Sequence, residues 1–255
     1  MTIAAELLRL AAIESLAPFT AIGTGEGFPT LAKGRVYDSR RPPIDDMDRD
    51  RDFTPVLSLF TRKSESARRG SGQGSVSRNG RALLEVVAEL AIAASDPEPG
   101  GQPGEFVDAL ASDDPQAKLT LATLCAQVRH VFTEGPTGAI FRKACIAIDG
   151  LEEEGFAVPE LGLRWHRTTM LFDCQIPDDS FQANGGLPQP AASIAAMLPP
   201  GSYAAAILTR LAGQFDAADP LPMIEAIAFE TKQKGVSGQA GAADLVGPPF
   251  ADVED

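Results

Sequence analysis

Two histidines, His130 and His166, three cysteines, Cys125, Cys145 and Cys174, and the alternating acids Asp46, Asp48, Asp50 and Asp52 are the residues whose types suit catalysis or metal binding. Imidazole titrates near neutrality and can serve as acid, base or metal ligand. Neither histidine, however, stands in an H-E-x-x-H, H-x-x-x-H or C-x-x-C-H setting. A G-x-S-x-G elbow for a hydrolase nucleophile is also missing. The cysteines are odd in number and contain no close C-x-x-C pair, so reduced thiols in a cytoplasm fit better than a disulfide framework or a zinc site. In the acidic run, Arg51 stands where a calcium loop needs Gly and Leu57 where it needs Glu, which leaves a solvated charged turn. GTGEG at 23–27 and GSGQG at 70–74 match neither phosphate-binding glycine pattern and read as hinges. The expectation is a chain that is not an enzyme, with no metal and no cofactor.

Charge is distributed unevenly. The formal net charge is −13, which argues against a general nucleic-acid or anionic-membrane surface, because such binding depends on Lys and Arg displacing counterions. Against that background, RKSESARRGSGQGSVSRNGR at 62–81 carries six basic residues and one acid, a local charge of +5. Its Gly and Ser content predicts a loop. Arg62, Lys63, Arg68, Arg69 and Arg78 are therefore the candidate binding residues, suited to acidic protein or to a local DNA contact through phosphate. The alternative is a solvated hairpin tip.

The elements that position this segment follow from periodicity. Residues 2–16 have apolar positions at helical spacing with Thr2 as cap, predicting an amphipathic helix that docks one face on a core. GRVYDSR at 34–40, TPVLSLFT at 54–61 and the segment 81–94 read as strands; in the second, Leu57, Leu59 and Thr61 alternate with Val56, Ser58 and Phe60. A loop is expected over the Pro/Gly/acid stretch at 95–105. DDPQAKLTLATLCAQVRHVF at 113–132 predicts a helix capped by Asp, with Pro115 in its first turn and Leu121, Leu124, Val128 and Val131 in a stripe. Two antiparallel strands, 143–149 and 161–176, are expected around an acidic turn, followed by a Pro/Ala-rich region with a helix at 202–215 capped by Ser202 and striped by Tyr203, Ile207, Leu211 and Phe215. The uncharged run Ser180–Thr209 is broken by Pro188, Pro190, Pro199 and Pro200, so no membrane span is expected there. The fold class is α/β (α+β), a mostly antiparallel sheet flanked by helices, with a main domain at 1–180 and a helical extension and tail at 181–255.

In order, the amino-terminal helix, the Gly-containing turn, GRVYDSR at 34–40, RPPIDD at 41–46, PVLSLFT at 55–61, the polar loop and the strand after Gly80 resemble tailed-bacteriophage tail terminator proteins over roughly residues 1–177. That resemblance implies a structural protein of the virion tail or neck, assembled in the host cytoplasm as a six-membered ring. The implied partners are copies of the chain, the tail tube protein and the head–tail connector or stopper. A terminator must bind the last tube ring on one face and refuse another on the other, so its subunits meet head to tail around a closed ring. The five basic residues would then line the lumen or the tube-facing rim. The long loop at 95–112 and the region after 186 depart from compact members of that family. Competing readings are another head–tail joining protein, a small-molecule enzyme built around His130 or His166, and a monomeric binding module.

Overall fold

The computed structural model describes residues 2–48, 52–69, 77–96, 104–110, 114–158, 163–181 and 185–216. Its first helix, α1 (Ile3–Leu16), begins where Thr2 accepts from the Ala5 N–H and where both carboxylate oxygens of Asp179 accept from the Ile3 and Ala4 amides at 2.8 Å. These contacts satisfy orphan amide donors of the first turn. The helix does not dock by one face, as its spacing suggested. Leu7, Leu8, Leu10 and Leu16 are buried, and so are Glu14 and Ser15, because the small Ala4, Ala5, Ala11 and Ala12 let neighbours close in from several sides. Arg9 reaches out to an ion pair with Glu6, to Asp38 at 2.7 Å and to the Thr61 hydroxyl at 3.0 Å. Each fully buried leucine contributes roughly 1.5–3 kcal/mol through removal of apolar surface from water.

Pro18 separates α1 from a short second helix, α2 (Phe19–Thr24), which the sequence pattern did not suggest and which takes up the start of the glycine turn. Gly25 closes it at φ 76°, a left-handed position suited to glycine. The apolar stretch Ile3–Thr24 is long enough to cross a bilayer, but here it is two helices, the first largely enclosed by the core.

The sheet has six strands: β1 (Val36–Asp38), β2 (Thr54–Arg69), β3 (Ser77–Asp96), β4 (Gly104–Ala109), β5 (Ala147–Val158) and β6 (Leu163–Pro177). Their order is β1-β2-β3-β6-β5, with β4 also on β3. Only the β1–β2 pairing is parallel. β3 pairs with β6 as far as Glu89 and takes up β4 from Ala91. The expected mostly antiparallel sheet with flanking helices is thus the observed fold. Its strands are longer than expected: β4 lies within the stretch read as a loop at 95–112, and β5 runs through the acids read as a turn, while Lys143 belongs to a helix.

Alternation decides which side of the sheet is covered. Ala82, Leu84, Val86, Ala88 and Leu90 on β3 and Met170, Phe172, Cys174 and Ile176 on β6 are buried beneath α1 and α3 (Pro115–Thr133). α3 has the predicted cap, with the Asp114 carboxylate accepting from the Gln116 N–H at 2.9 Å, and the predicted buried stripe. Phe132 of α3 stacks on Phe141 of α4 (Ala139–Ala144) at 4.1 Å and meets Phe172 edge-on at 5.1 Å. α5 (Ala191–Ala195) and α6 (Tyr203–Asp216) add Ala191, Ile194, Ala204 and Leu208 to the same core. Ser202 caps α6 as expected, accepting from the Ala205 N–H at 3.2 Å. The buried stripe is rotated from the expected one: Ala204 and Leu208 are enclosed, whereas Tyr203 is exposed and donates its hydroxyl to Asp38 at 2.8 Å.

On the opposite side, Leu83, Glu85 and Val87 of β3 and Thr169, Leu171 and Asp173 of β6 are half-exposed. A smaller apolar group of Tyr37, Met47, Val56 and Ala91 covers one end of this side.

Candidate functional site

The candidate basic residues do not sit in a loop. β2 continues to Arg69 and β3 starts at Ser77, so the two strands extend into a long two-stranded arm; residues 70–76, which include the GSGQG read as a hinge, lie outside the described residues. The ladder runs from Lys63↔Leu83 to Arg69↔Ser77, with a bulge between Thr61 and Lys63. Arg62 occupies that bulge and is exposed. Lys63 is exposed and forms an ion pair with Glu65 on the same strand, which holds the Glu65 carboxyl below its usual range. Arg68 and Arg78 are ladder partners, and Arg69 follows one position on. The structure therefore brings the five together along one two-stranded arm. Gly and Ser content signals a loop, but β ladders tolerate Ser wherever one side faces solvent, and here the strands run on into that segment.

A complementary feature, missed in the sequence, lies at the other end of the sheet. Glu152, Glu153 and Glu154 are exposed on β5, an edge strand paired only with β6 among the described residues. Register puts Glu152 and Glu154 on the open side, opposite Leu171 and Thr169, and Glu153 on the helix side, where Arg129 of α3 approaches at 3.4 Å. Consecutive acids are a poor turn signal when a β-compatible GFAV follows, and that continuation was the available clue.

Arg81 joins the open side of three strands, reaching Asp149 at 2.7 Å and Asp173 at 3.2 Å; these carboxylates push its pKa upward. Arg167 donates to the buried Glu89 at 2.7 Å and lies 6.0 Å from the Phe156 ring. Both arrangements keep charge paired on a surface that is otherwise half apolar.

Of the residues with catalytic potential, His166 and Cys125 share one cleft and the others lie apart. His130 is exposed on α3, with Nδ1 3.8 Å from the Glu134 carboxylate. His166 is buried in a cleft of about 300 Å³ shared with Cys125, Glu153 and Arg167. Burial, reinforced by Glu153, pushes the Cys125 thiol up to about 11, so at neutral pH it is not a thiolate nucleophile. Cys145 and Cys174 are buried neighbours, and the Cys174 thiol is pushed up by its hydrogen bond with Cys145 and by burial. In the acidic run, Asp46 accepts from the Tyr37 hydroxyl at 2.8 Å, and among the described residues no group of three or more His, Cys, Asp or Glu is placed to hold a metal ion. Another cleft, of about 750 Å³, lies open beside Gly25, Gly27 and Phe53.

The described residues thus present a basic arm, an acidic edge and, between them, a sheet side left half-exposed. No known family model matches the chain, and no curated protein sequence matches it.

Proposed function

We propose that this chain is a virion structural protein, a tail terminator that caps the tail tube as a ring of identical subunits and offers a docking surface to the head–tail connector. The observation that carries the reading is a sheet covered by helices on one side and left half-exposed on the other, between two edges of opposite charge. A subunit that must meet copies of itself and a tube ring needs such uncommitted surface, whereas a self-contained enzyme needs converging polar groups in an enclosed cleft. The order of segments over residues 1–177 supports the same reading. In this scheme the arm that carries Arg62, Lys63, Arg68, Arg69 and Arg78 supplies the lumenal or tube-facing contact through its far end at Arg68, Arg69 and Arg78, and leaves Arg62 and Lys63 at its base to the neighbouring subunit.

Reversing those five charges is expected to give tails of uncontrolled length and heads that fail to join, scored by electron microscopy of lysates. Gold labelling of a tagged chain should mark the head-proximal end of the tail. Normal tails from the reversed variant would reduce the arm to a solvated hairpin. A chain missing from particles would end the structural reading, and a ring on the portal side would reassign it to a stopper.

A further inference from the structure

The geometry points to a subunit junction in which the outer edge of β5 on one copy pairs antiparallel with the outer edge of β2, beyond Leu59, on the next. This deepens the ring reading and rests on it only for the premise that copies associate.

Both edges are bare among the described residues. β1 pairs with β2 only from Leu57 to Leu59, and Ser39 N–H adds one last bond to Leu59 C=O at 2.9 Å, so residues 60–69 have β3 on one side alone. β5, 12 residues long, has β6 on one side alone. Unpaired N–H and C=O groups along an edge are a template for another strand. The two free stretches are of similar length, each at most about 33–40 Å at about 3.3 Å per residue, with bulges at Arg62 in β2 and at Asp149 and Phe156 in β5 that leave Lys63–Arg69 and Gly150–Gly155 as the regular runs.

Strand direction permits the match. β2 is antiparallel to β3, β3 to β6 and β6 to β5, so β2 and β5 run in opposite directions at opposite ends of one sheet. A rotation about an axis along the strands preserves every direction, and it lays the next copy's β2 beside β5 in antiparallel fashion.

Charge selects this pairing over the others. The β2 edge carries Arg62, Lys63, Arg68 and Arg69 against the single Glu65, and β5 carries Glu152, Glu153 and Glu154. Lys63 shares the open side of the sheet with Glu152 and Glu154, as their ladder partners Leu83, Leu171 and Thr169 show, so opposite charges meet on the same side of the joined sheet. Pairing β5 with β5, or β2 with β2, would set like charges opposite each other, which destabilises a ladder. Two-fold association is disfavoured on both edges, and head-to-tail association, the kind that closes a ring, remains. The rival explanation is that charge only guards each edge against pairing.

Sedimentation velocity of the full chain at about 100 µM, above the micromolar Kd of a weak interface, separates the two. The wild type is expected to associate. Glu152→Lys with Glu154→Lys, and separately Arg62→Glu with Lys63→Glu, should each weaken association about tenfold or more. Carrying all four changes on one chain should restore it, as should mixing the two reversed chains in equal amounts. These side chains are exposed, and circular dichroism checks that each variant is folded. A monomeric wild type, an oligomer indifferent to both reversals, or a failure of the four-fold variant to reassociate would overturn the junction. Of these, the indifferent oligomer leaves the ring reading standing, whereas absence from virus particles removes that reading without touching the solution result.

Discussion

Glu14 sits on the most enclosed helix of the molecule with 6% of its surface exposed, accepting from the Phe19 N–H at 2.9 Å. Burial raises its pKa above the ordinary value of 4.5, the hydrogen bond from Phe19 opposing the shift in part. A carboxyl whose folded pKa is raised adds stability that is fully present below its unfolded pKa and lost as pH climbs through the folded one. Glu14→Gln keeps the acceptor and removes the charge. It should therefore raise Tm by a few degrees at about pH 8 and leave it unchanged at about pH 4, read by thermal melts at the two pH values. A wild type more stable than the variant at the higher pH would show that the carboxylate is held by favourable charge instead. Single residues were the scale at which the sequence was most legible for caps and least for sites. Asp114, Thr2 and Ser202 cap as their types predict, because capping is decided within one turn. The burial of Glu14, and the carboxylate of Asp179 reaching the start of α1 from far along the chain, depend on tertiary approach that no local pattern encodes.

At the level of elements, the turn between α3 and α4 is the tightest constraint. A Cβ at Gly138 would lie 1.8 Å from the Val131 carbonyl oxygen, and the Arg142 guanidinium already fills the neighbourhood by donating to Val131 C=O at 3.1 Å and Gly135 C=O at 2.9 Å. Backbone cannot yield as a flexible side chain would. Gly138→Ala is expected to cost about 3 kcal/mol or more by overpacking, measured by urea denaturation; a loss below about 1 kcal/mol would show that the turn relaxes. Element legibility followed period and burial. α3 and the core of β3 are clear because one side of each is apolar, whereas the apolar spacing of α1 does not reveal that Glu14 and Ser15 are enclosed with its leucines. The hairpin arm and β5 were shortened to loop and turn because charge and small polar residues dominate strands that reach into solvent. The basic residues were legible as a cluster; the strands that line them up, and the acids that answer them across the sheet, were not.

For the molecule as a whole, the fold class was readable because helix and strand periods alternate over most of the first 216 residues. Its surface was not, since composition yields a net charge of −13 without saying that the basic run of β2 and the acidic run of β5 stand at opposite ends of the sheet. That sorting makes association salt-sensitive. Raising NaCl from about 0.1 M to about 1 M shortens the screening length from roughly 10 Å to roughly 3 Å, and the oligomeric fraction should fall while the melting temperature of the chain stays nearly constant. Tighter association at high salt would instead assign the contact to the half-apolar side of the sheet. The bulge at Arg62 bears on this more than any other single position. Upstream of it, odd-numbered residues such as Leu57, Leu59 and Thr61 look toward the helices; downstream, even-numbered Ser64 takes that side, donating no charge and accepting from the Thr2 N–H at 3.2 Å. One supernumerary residue thus inverts the parity of the strand. Were the bulge regularised with Arg62 drawn into the ladder, Lys63 and Glu65 would be driven beneath the start of α1 and the serines turned outward, so the electrical polarity of the sheet hangs on a change of phase midway along one strand.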